Sequence, residues 1–226
     1  AARVLAGNGY TVYLTQSDAP TPAISYNVRK MGATAGIVIT ASHNAPRYNG
    51  VKLKASYGGS ALHEQCRRVE IYLNDNEERG RGPNLMDYEQ ARQAGLIQRF
   101  NPLPTYYDHL RTLIDLDIIA ENPPRVVVDS MYGAGRGVIK GILQGTGCEV
   151  QEIRGEMNPG FGGVHPEPIG RYLGALASAI TGWHPSFWSD CWRRSSSPAC
   201  PSLPAPCQPA TRWSGRPATR RGSTRR

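Results

Sequence analysis

The sequence lacks the features that place a protein in a membrane or in an oxidising compartment. It has no uninterrupted apolar run of about 18 residues, the length that a membrane-spanning helix needs. The opening stretch, Ala1 to Gly7, has no long apolar core or cleavage site of a secretory leader. The five cysteines are odd in number and include no Cys-x-x-Cys pair, which argues against a disulfide framework and a thiolate zinc site. We therefore expect a cytoplasmic protein with no membrane partner.

Two signatures of common enzyme classes are also missing. No Gly-x-Ser-x-Gly elbow surrounds Ser42, a serine that closely follows an apolar run, which disfavours a serine hydrolase. The glycine-rich turn at residues 133–137 lacks Gly-x-Gly-x-x-Gly spacing, because Val138 holds the sixth place. We interpret it as a tight strand-to-helix turn, and Asp129 before it as a turn or cap residue.

The positive charge is concentrated at the C-terminal end. The formal net charge is +8, which by itself favours a nucleic-acid or anionic partner. Residues 182–226 contain eight arginines and one acid, Asp190, so the rest of the chain is close to neutral. All four tryptophans lie in the same stretch, together with seven prolines and eight serines. No apolar period is visible there, and we predict a tail that is disordered or translated in a shifted frame.

Interleaved tryptophan and arginine also permit a different interpretation of residues 182–226. Aromatic rings can stack on bases while arginines contact phosphates, as in proteins that bind single-stranded nucleic acid. The alternative hypothesis is thus a non-catalytic chain whose basic tail binds nucleic acid. We consider this partner the less favoured one, because the abrupt change of composition at Gly182 is typical of a foreign segment.

The first hundred residues predict an α/β unit. Residues 1–7 look like the end of a helix stopped at Gly7 or Gly9, so we expect residues to be missing before it. Thr11 to Leu14 predicts a strand, a helix is expected to follow with Thr21 as N-cap, and Gly36 to Thr40 predicts a strand buried on both faces. We expect these two strands to be parallel. A half-exposed strand is predicted next, with inward Val51, Leu53 and Ala55 alternating with outward Lys52 and Lys54. An amphipathic helix follows, whose apolar residues are Leu62, Cys66, Val69 and Leu73. Residues 74–101 are predicted to be a surface connection.

A second unit follows, with a boundary expected near Asn101-Pro102. Residues 125–129 and 149–153 predict two strands joined by a helix, and Leu173, Leu176 and Ile180 predict a last helix. His165 is interpreted as part of a structural turn, and His63 and His109 as solvated helix residues. The predicted fold class is α/β with two consecutive, incomplete α/β/α units of mostly parallel strands, residues 1–101 and 102–181, and a disordered tail, 182–226.

Ser42 is the strongest candidate for chemistry. It follows a predicted buried strand by two residues, and ligands bind beyond the carboxyl ends of parallel strands. Such a serine can act as a nucleophile or carry phosphate, while His43 and Asn44 can orient it. Lys52 can neutralise a phosphate, or act as a base if it is desolvated. Asn49-Gly50 is a turn signal that would fold the loop back toward the site.

The loop also resembles a known signature. Residues 40–52 read Thr-Ala-Ser-His-Asn-Ala-Pro-Arg-Tyr-Asn-Gly-Val-Lys. This resembles the active-site pattern of the α-D-phosphohexomutases, the phosphoglucomutase and phosphomannomutase superfamily, which is Thr-Ala-Ser-His-Asn-Pro, a spacer, Asn-Gly and Lys. Ala45 replaces the family's usual proline, and Pro46 follows it at once. The resemblance extends to about residue 181.

This resemblance implies a function and a set of site residues. Ser42 would carry the phosphate that is exchanged with a hexose phosphate through a bisphosphate intermediate. His43 would contact substrate or phosphate, Lys52 would be the general acid or base, and Thr40, Asn44 and Asn49 would complete the phosphate loop. The family also uses Mg²⁺, held by the phosphate on Ser42 and by three aspartates, and a hexose bisphosphate as activator. We expect glucose phosphate as the first choice of substrate and mannose phosphate as the second.

Parts of the family pattern are absent from this chain. The aspartate loop, Asp-Gly-Asp-x-Asp-Arg, does not occur, nor does the opening Gly-Thr-x-Gly-x-Arg segment. The sugar-reading and phosphate-gripping domains that the resemblance implies are also not present. We therefore expect this chain by itself to have negligible mutase turnover, and the sequence leaves its oligomeric state open.

Overall fold

The computed structural model describes residues 1–183. The tail expected to be disordered, shifted in frame or nucleic-acid binding comprised residues 182–226. Its first two residues, Gly182 and Trp183, instead end the helix Gly174–Trp183, and residues 184–226 lie outside the described residues. Within residues 1–183 the chain alternates short helices and strands, and the predicted α/β class is confirmed. The elements in chain order are α1 Ala2–Gly7, β1 Val12–Thr15, α2 Thr21–Lys30, β2 Ala35–Ile39, β3 Val51–Ala55, α3 His63–Glu78, α4 Tyr88–Gln93, β4 Ile97–Phe100, α5 Leu103–Arg111, α6 Leu116–Glu121, β5 Arg125–Asp129, α7 Val138–Ile142, β6 Glu149–Ile153 and α8 Gly174–Trp183, with 3-10 turns at Phe161–Gly163 and Gly170–Tyr172.

The prediction of a surface connection over 74–101 is wrong for its second half. That part forms α4 and β4, and β4 pairs in parallel with β1, Val12 lying opposite Ile97. Ala6, Ala91 and Ile97 are at most 2% exposed and form a small core between these elements. Because the strand has four residues and two of them, Gln98 and Arg99, are polar, it carries no apolar pattern that sequence analysis could detect.

The two strands that were expected to be parallel belong to different sheets. Within the described residues, β1 pairs with β4, and β2 pairs with β3 in antiparallel register. The strand β2 is also not buried on both faces, since Ile37 is 38% exposed and Ile39 is 56% exposed. Its apolar residues thus reflect strand propensity, and the loop between β2 and β3 is a hairpin connection rather than the end of a central parallel strand.

The predicted faces of β3 are wrong at two positions, Val51 and Lys54, whereas Lys52 is exposed and Ala55 is buried as expected. Lys54 is 8% exposed, whereas Val51 is 65% exposed. Lys54 lies opposite Gly36 on β2, and the stem of Lys54 fills the space next to this glycine, where an added Cβ would lie 3.2 Å from the Cβ of Lys54. A lysine can bury its aliphatic stem in this way while its ammonium group reaches the solvent.

The second β-α-β unit has the predicted connectivity. The strands β5 and β6 are parallel, with Val126 opposite Val150, and α7 lies between them in the chain. Gly137, with φ of +72°, precedes the first residue of α7, so residues 133–137 form the predicted strand-to-helix turn. The left-handed backbone at this position favours glycine.

A buried polar contact joins α2 to α5. Asn27 on α2 is 4% exposed and donates from Nδ2 to the carbonyls of Ala23, at 2.8 Å, and Pro102, at 2.9 Å. Thr105 on α5 donates its hydroxyl to Asn27 Oδ1 at 3.0 Å. The helix α2 itself begins at Thr21 with Pro20 as N-cap, one residue earlier than predicted. The predicted unit boundary near Asn101-Pro102 is thus bridged by hydrogen bonds.

Helix α3 has an apolar face that no other described element covers fully. Val69 and Leu73 are 50% and 64% exposed, and the helix contains no buried residue.

His109 on α5, expected to be solvated, instead stacks on Tyr26 with ring centroids 4.4 Å apart. A search of residues 1–183 found no helix that is both long and apolar enough to cross a membrane.

Candidate functional site

The candidate site is the loop of residues 40–50, which connects β2 to β3. Thr40 N–H donates to the carbonyl of Gly50 at 2.9 Å, so the loop is closed at its base. The side-chain oxygen of Asn49 accepts from Gly50 N–H at 2.9 Å, which fixes the turn that the Asn-Gly pair indicated. The loop residues between these points, including Ser42, are held at the end of the β2–β3 hairpin.

The backbone at Ser42 has an uncommon conformation. Its φ is +59°, in the left-handed region that non-glycine residues rarely adopt. Such a conformation costs about 1–3 kcal/mol and persists where surrounding contacts enforce it. One of these contacts is a hydrogen bond from Ser42 N–H to Thr40 Oγ1 at 3.1 Å. Thr40 thus supports the position of Ser42.

The Ser42 hydroxyl is paired with the neighbouring imidazole. Ser42 Oγ lies 3.3 Å from His43 Nδ1, close enough for the hydroxyl to donate to an unprotonated ring nitrogen. The His43 side chain is 55% exposed, so a charged ligand can approach from the solvent. A serine hydroxyl hydrogen-bonded to an imidazole is an arrangement that can accept and release a phosphoryl group.

The other sequence-predicted residues are placed differently. Asn44 takes part in the loop through its N–H, which donates to the carbonyl of Ala41 at 3.1 Å. Lys52 lies on β3, opposite Val38, and is exposed. Within residues 1–183 the Lys52 ammonium group makes no hydrogen bond or ion pair with Ser42 or His43. The structure thus links Thr40, Ser42 and His43 through hydrogen bonds and places Asn49 at the closed base of the loop, with Lys52 outside this network.

Glu167 is a site neighbour that the sequence did not reveal. Its Oε1 lies 4.0 Å from His43 Nε2, and its Oε2 lies 4.0 Å from His165 Nδ1. It belongs to the long loop between β6 and α8, more than 100 positions after His43. No periodicity or spacing rule connects residues so far apart, although the charged residue between Pro166 and Pro168 was visible.

His165 is more than a turn residue. Its ring stacks on Tyr172 with centroids 5.5 Å apart. The carbonyl of Tyr172 accepts from Arg154 Nη2 at 3.2 Å, and Arg154 forms a buried ion pair with Asp129 at the end of β5. The hydrogen bond that Arg154 donates to Asp129 raises the pKa of Arg154, and Asp129 also accepts from Met131 N–H at 3.1 Å, as a turn residue does. This ion pair, which the sequence did not predict, anchors the loop that contains Glu167.

A second, partly buried carboxylate stabilises the glycine-rich turn. Glu152 on β6 accepts from the Ser130 hydroxyl and, at 2.9 Å, from Gly137 N–H. Arg136 in the same turn pairs with both carboxylate oxygens of Asp18, at 2.8 and 2.9 Å. Asp18 follows β1, so the loops after β1 and β5 are tied together.

The donor set that the resemblance implied for Mg²⁺ is not found in the described part of the chain. No group of three or more His, Cys, Asp or Glu side chains in residues 1–183 is arranged to hold a metal ion. Mg²⁺ requires several oxygen ligands, and the carboxylate near the loop, Glu167, lies next to His43 rather than Ser42. These residues therefore do not fit a magnesium site.

The described residues form an α/β fold with a serine-bearing loop after β2, and sequence comparison identifies the family. Residues 1–80 match the family model of phosphoglucomutase/phosphomannomutase, alpha/beta/alpha domain I. Residues 104–187 match that of alpha/beta/alpha domain II of the same family. The chain belongs to the phosphoglucomutase/phosphomannomutase family.

Individual relatives agree with this assignment. A phosphoglucomutase/phosphomannomutase of Thermococcus kodakarensis is 31% identical over 66% of this chain and 31% of its own length. A phosphoglucosamine/phosphogalactosamine mutase of Sulfurisphaera tokodaii is 28% identical over 72% of this chain and 34% of its own length. The crystal structure of a protein assigned as a phosphomannomutase from Thermus thermophilus superposes with a TM-score of 0.65 and 32% identity, covering 79% of this chain and 39% of that chain. The chain thus spans about a third of the length of the curated relatives it matches.

Proposed function

We propose that this chain is the phosphoserine-bearing part of a sugar-phosphate mutase that interconverts hexose 1-phosphate and hexose 6-phosphate. The observation that carries the proposal is the Ser42 hydroxyl, 3.3 Å from His43 Nδ1, in a loop whose base is closed by Thr40 and Gly50. Membership of the phosphoglucomutase/phosphomannomutase family supports the same chemistry. Enzymes named for this reaction move a phosphoryl group between two oxygens of one sugar.

The proposed half-reaction is a transfer between Ser42 and a hexose bisphosphate. As the Ser42 Oγ–P bond forms, the bond between phosphorus and the sugar oxygen breaks. The hydroxyl proton of Ser42 moves to His43 Nδ1, and the departing sugar oxygen takes up a proton from Lys52, the general acid of this proposal. In the reverse half-reaction a hexose monophosphate hydroxyl attacks the phosphate on Ser42. Positioning and charge neutralisation supply most of the rate acceleration in such transfers.

The remaining loop residues receive supporting roles in this proposal. Thr40 holds the backbone of Ser42 through a hydrogen bond of 3.1 Å, and Asn49 fixes the returning turn. Asn44 would contact the phosphate. Lys52 would be the general acid or base toward the sugar, a role that rests on the family resemblance and requires its flexible side chain to turn toward the loop.

The substrate, metal and activator are proposals for the complete enzyme. Relatives carry names for glucose, mannose, glucosamine and galactosamine phosphates. We propose glucose phosphate first and mannose phosphate second, a hexose bisphosphate as the activator, and Mg²⁺ as the metal of an enzyme that contains the aspartate loop. We further propose that this chain alone has negligible steady turnover, because residues that act as a unit lose most catalysis when some are removed.

The test is to incubate the full chain with glucose 1,6-bisphosphate and map phosphate by mass spectrometry. We expect phosphate on Ser42 and none on a Ser42→Ala variant. Ser60→Ala, an exposed serine after β3, is the matched control and should take up phosphate at Ser42 as the unmodified chain does. Phosphate that is absent, or that is found on other residues to the same extent, would contradict the proposal.

A further inference from the structure

The carboxylate of Glu167 lies between two histidines, one in the serine loop and one in the second unit. Its two oxygens lie 4.0 Å from His43 Nε2 and 4.0 Å from His165 Nδ1. The Nδ1 atom of His165 is buried and has no hydrogen-bond partner in the described part of the chain. A contact of 4.0 Å is longer than a direct hydrogen bond and suits a bridging water.

The position of Glu167 is fixed by its own loop. Its N–H donates to the carbonyl of His165 at 2.8 Å, and its carbonyl accepts from Ile169 N–H at 2.8 Å. These two bonds span Pro166 and Pro168 and so hold the backbone on both sides of Glu167, and the two proline rings restrict it further. The side chain of Glu167 is 31% exposed, less than the 55% of His43. The carboxylate is therefore the more restrained partner of the pair.

The loop is anchored in turn to the second parallel sheet. His165 stacks on Tyr172, the carbonyl of Tyr172 accepts from Arg154, and Arg154 pairs with Asp129 at the end of β5. The side chain of Asp129 is 2% exposed and that of Arg154 is 11% exposed, so the anchor is buried. Glu167 thus connects the rigid sheet to an exposed histidine on a strained loop.

From this chain of contacts we propose that Glu167 is a positioning residue for the serine loop. Its carboxylate holds the His43 ring by Nε2, which leaves Nδ1 directed at the Ser42 hydroxyl. A ring that is free to rotate about its side-chain bonds would present Nδ1 to Ser42 for only part of the time. Because exposed charged pairs add little stability, the effect of Glu167 is on orientation rather than on folding. The consequence for phosphoryl transfer rests on the proposed function, whereas the orientation itself does not.

The first readout is the mobility of the His43 ring, measured by relaxation of its Cδ2–Hδ2 pair in the full chain without ligand. His63, exposed at the start of α3, is the internal reference for an unrestrained histidine. We expect an order parameter of about 0.85 for His43 in the unmodified chain and below about 0.6 in Glu167→Ala. Glu167→Gln keeps an acceptor oxygen and should recover part of the restraint. Glu156→Ala, an exposed carboxylate of the same unit, is the matched control and should change nothing.

The second readout is the rate at which Ser42 takes up phosphate from glucose 1,6-bisphosphate. A misplaced reacting group slows such a step roughly 10- to 100-fold, so we expect that loss in Glu167→Ala at saturating donor, with half-saturation unchanged. Circular dichroism confirms that each variant is folded.

The two readouts separate the inference from the proposed function. If His43 in Glu167→Ala is as restrained as in the unmodified chain, or if the ring is freed but phosphate uptake is unchanged, the positioning role is overturned. If even the unmodified chain takes up no phosphate, the proposed function fails. The mobility of the His43 ring then tests by itself whether Glu167 orients this ring.

Discussion

Arg136 Nη2 lies 2.8 and 2.9 Å from the two carboxylate oxygens of Asp18, and thereby ties the loop after β1 to the turn after β5. The Nη1 atom of the same guanidinium donates to the carbonyls of Tyr132, at 2.7 Å, and Gly133, at 2.6 Å. The side chain of Arg136 is 15% exposed, so these bonds are largely shielded from water. Through this arginine, residues of both matched domains share one hydrogen-bond network.

Replacement of Arg136 by alanine should therefore lower the free energy of unfolding. Two carbonyls and a carboxylate lose a donor, and a hydrogen bond to a charged group contributes about 1.5–3 kcal/mol. We expect a loss of about 2–3 kcal/mol in urea unfolding. Arg92→Ala removes an exposed pair with Glu89 on α4 and should cost less than about 0.5 kcal/mol. Equal losses in the two variants would contradict the role assigned to Arg136.

The buried amide of Asn27 should be a second determinant of stability. It donates to Ala23 and Pro102 and accepts from Thr105, so Asn27→Ala leaves buried polar groups without partners. We expect the free energy of unfolding to fall by about 1–3 kcal/mol. Asn74→Ala, on the exposed helix α3, is the control and should have little effect. If the free energy of unfolding of Asn27→Ala equals that of the unmodified chain, the hydrogen bonds between α2 and α5 contribute nothing to stability.

The N-cap of α4 predicts a pH dependence of stability. The Asp87 carboxylate accepts hydrogen bonds from Gln90 N–H and Glu89 N–H. These bonds hold the pKa of Asp87 below its ordinary value of 3.8, and the bond from Gln90 has the largest effect. A lowered carboxylate pKa contributes stability that is present above the unfolded value and is lost as the pH falls through the folded value. Asp87→Asn should thus be less stable than the unmodified chain at about pH 6, and the difference should shrink by about pH 3. A difference that is constant between these two pH values in urea unfolding would contradict the shift.

Steady conversion of glucose 1-phosphate by this chain should be negligible. The Asp-Gly-Asp sequence that the family resemblance requires for the metal does not occur in it. Loss of parts that act together removes most of the rate acceleration, so we expect turnover at least roughly 1000-fold below that of a full-length relative such as the enzyme of Thermococcus kodakarensis. A coupled assay with glucose 6-phosphate dehydrogenase measures it, with Ser42→Ala as the background. Turnover comparable to the full-length relative would refute this expectation.

Residues with local signals could be predicted from the sequence, whereas pairings across the chain could not. The Asn49-Gly50 turn and the glycine-rich turn at 133–137 were predicted because their conformations depend on neighbouring residues. The strand β4 and the partner of β1 were missed, because strand pairing is set by contacts between residues far apart in sequence. The burial of Lys54 depends on Gly36, its partner across the hairpin. The alternation of apolar and charged residues along β3 does not predict this burial.

The same distinction holds for the site. Ser42, His43 and Asn49 can be proposed as site residues from the sequence, because they lie close together in one loop with a recognisable motif. Glu167 and the Asp129–Arg154 pair were not found, since they come from other elements and meet the site only in the folded chain. Lys52 was proposed from the same sequence motif. It is exposed on β3, and a residue near the loop in sequence does not have to face the loop.

The most direct test of the proposed mutase chemistry is to follow radiolabelled phosphate from Ser42. The chain is first labelled from hexose bisphosphate, freed of donor, and then mixed in excess with glucose 1-phosphate in a single turnover. If the chain carries the phosphoserine half of a mutase, the label leaves Ser42 and appears in a hexose bisphosphate. Release of the label only as inorganic phosphate, at a rate that glucose 1-phosphate does not change, would instead identify Ser42 as a hydrolytic site and contradict the proposed function.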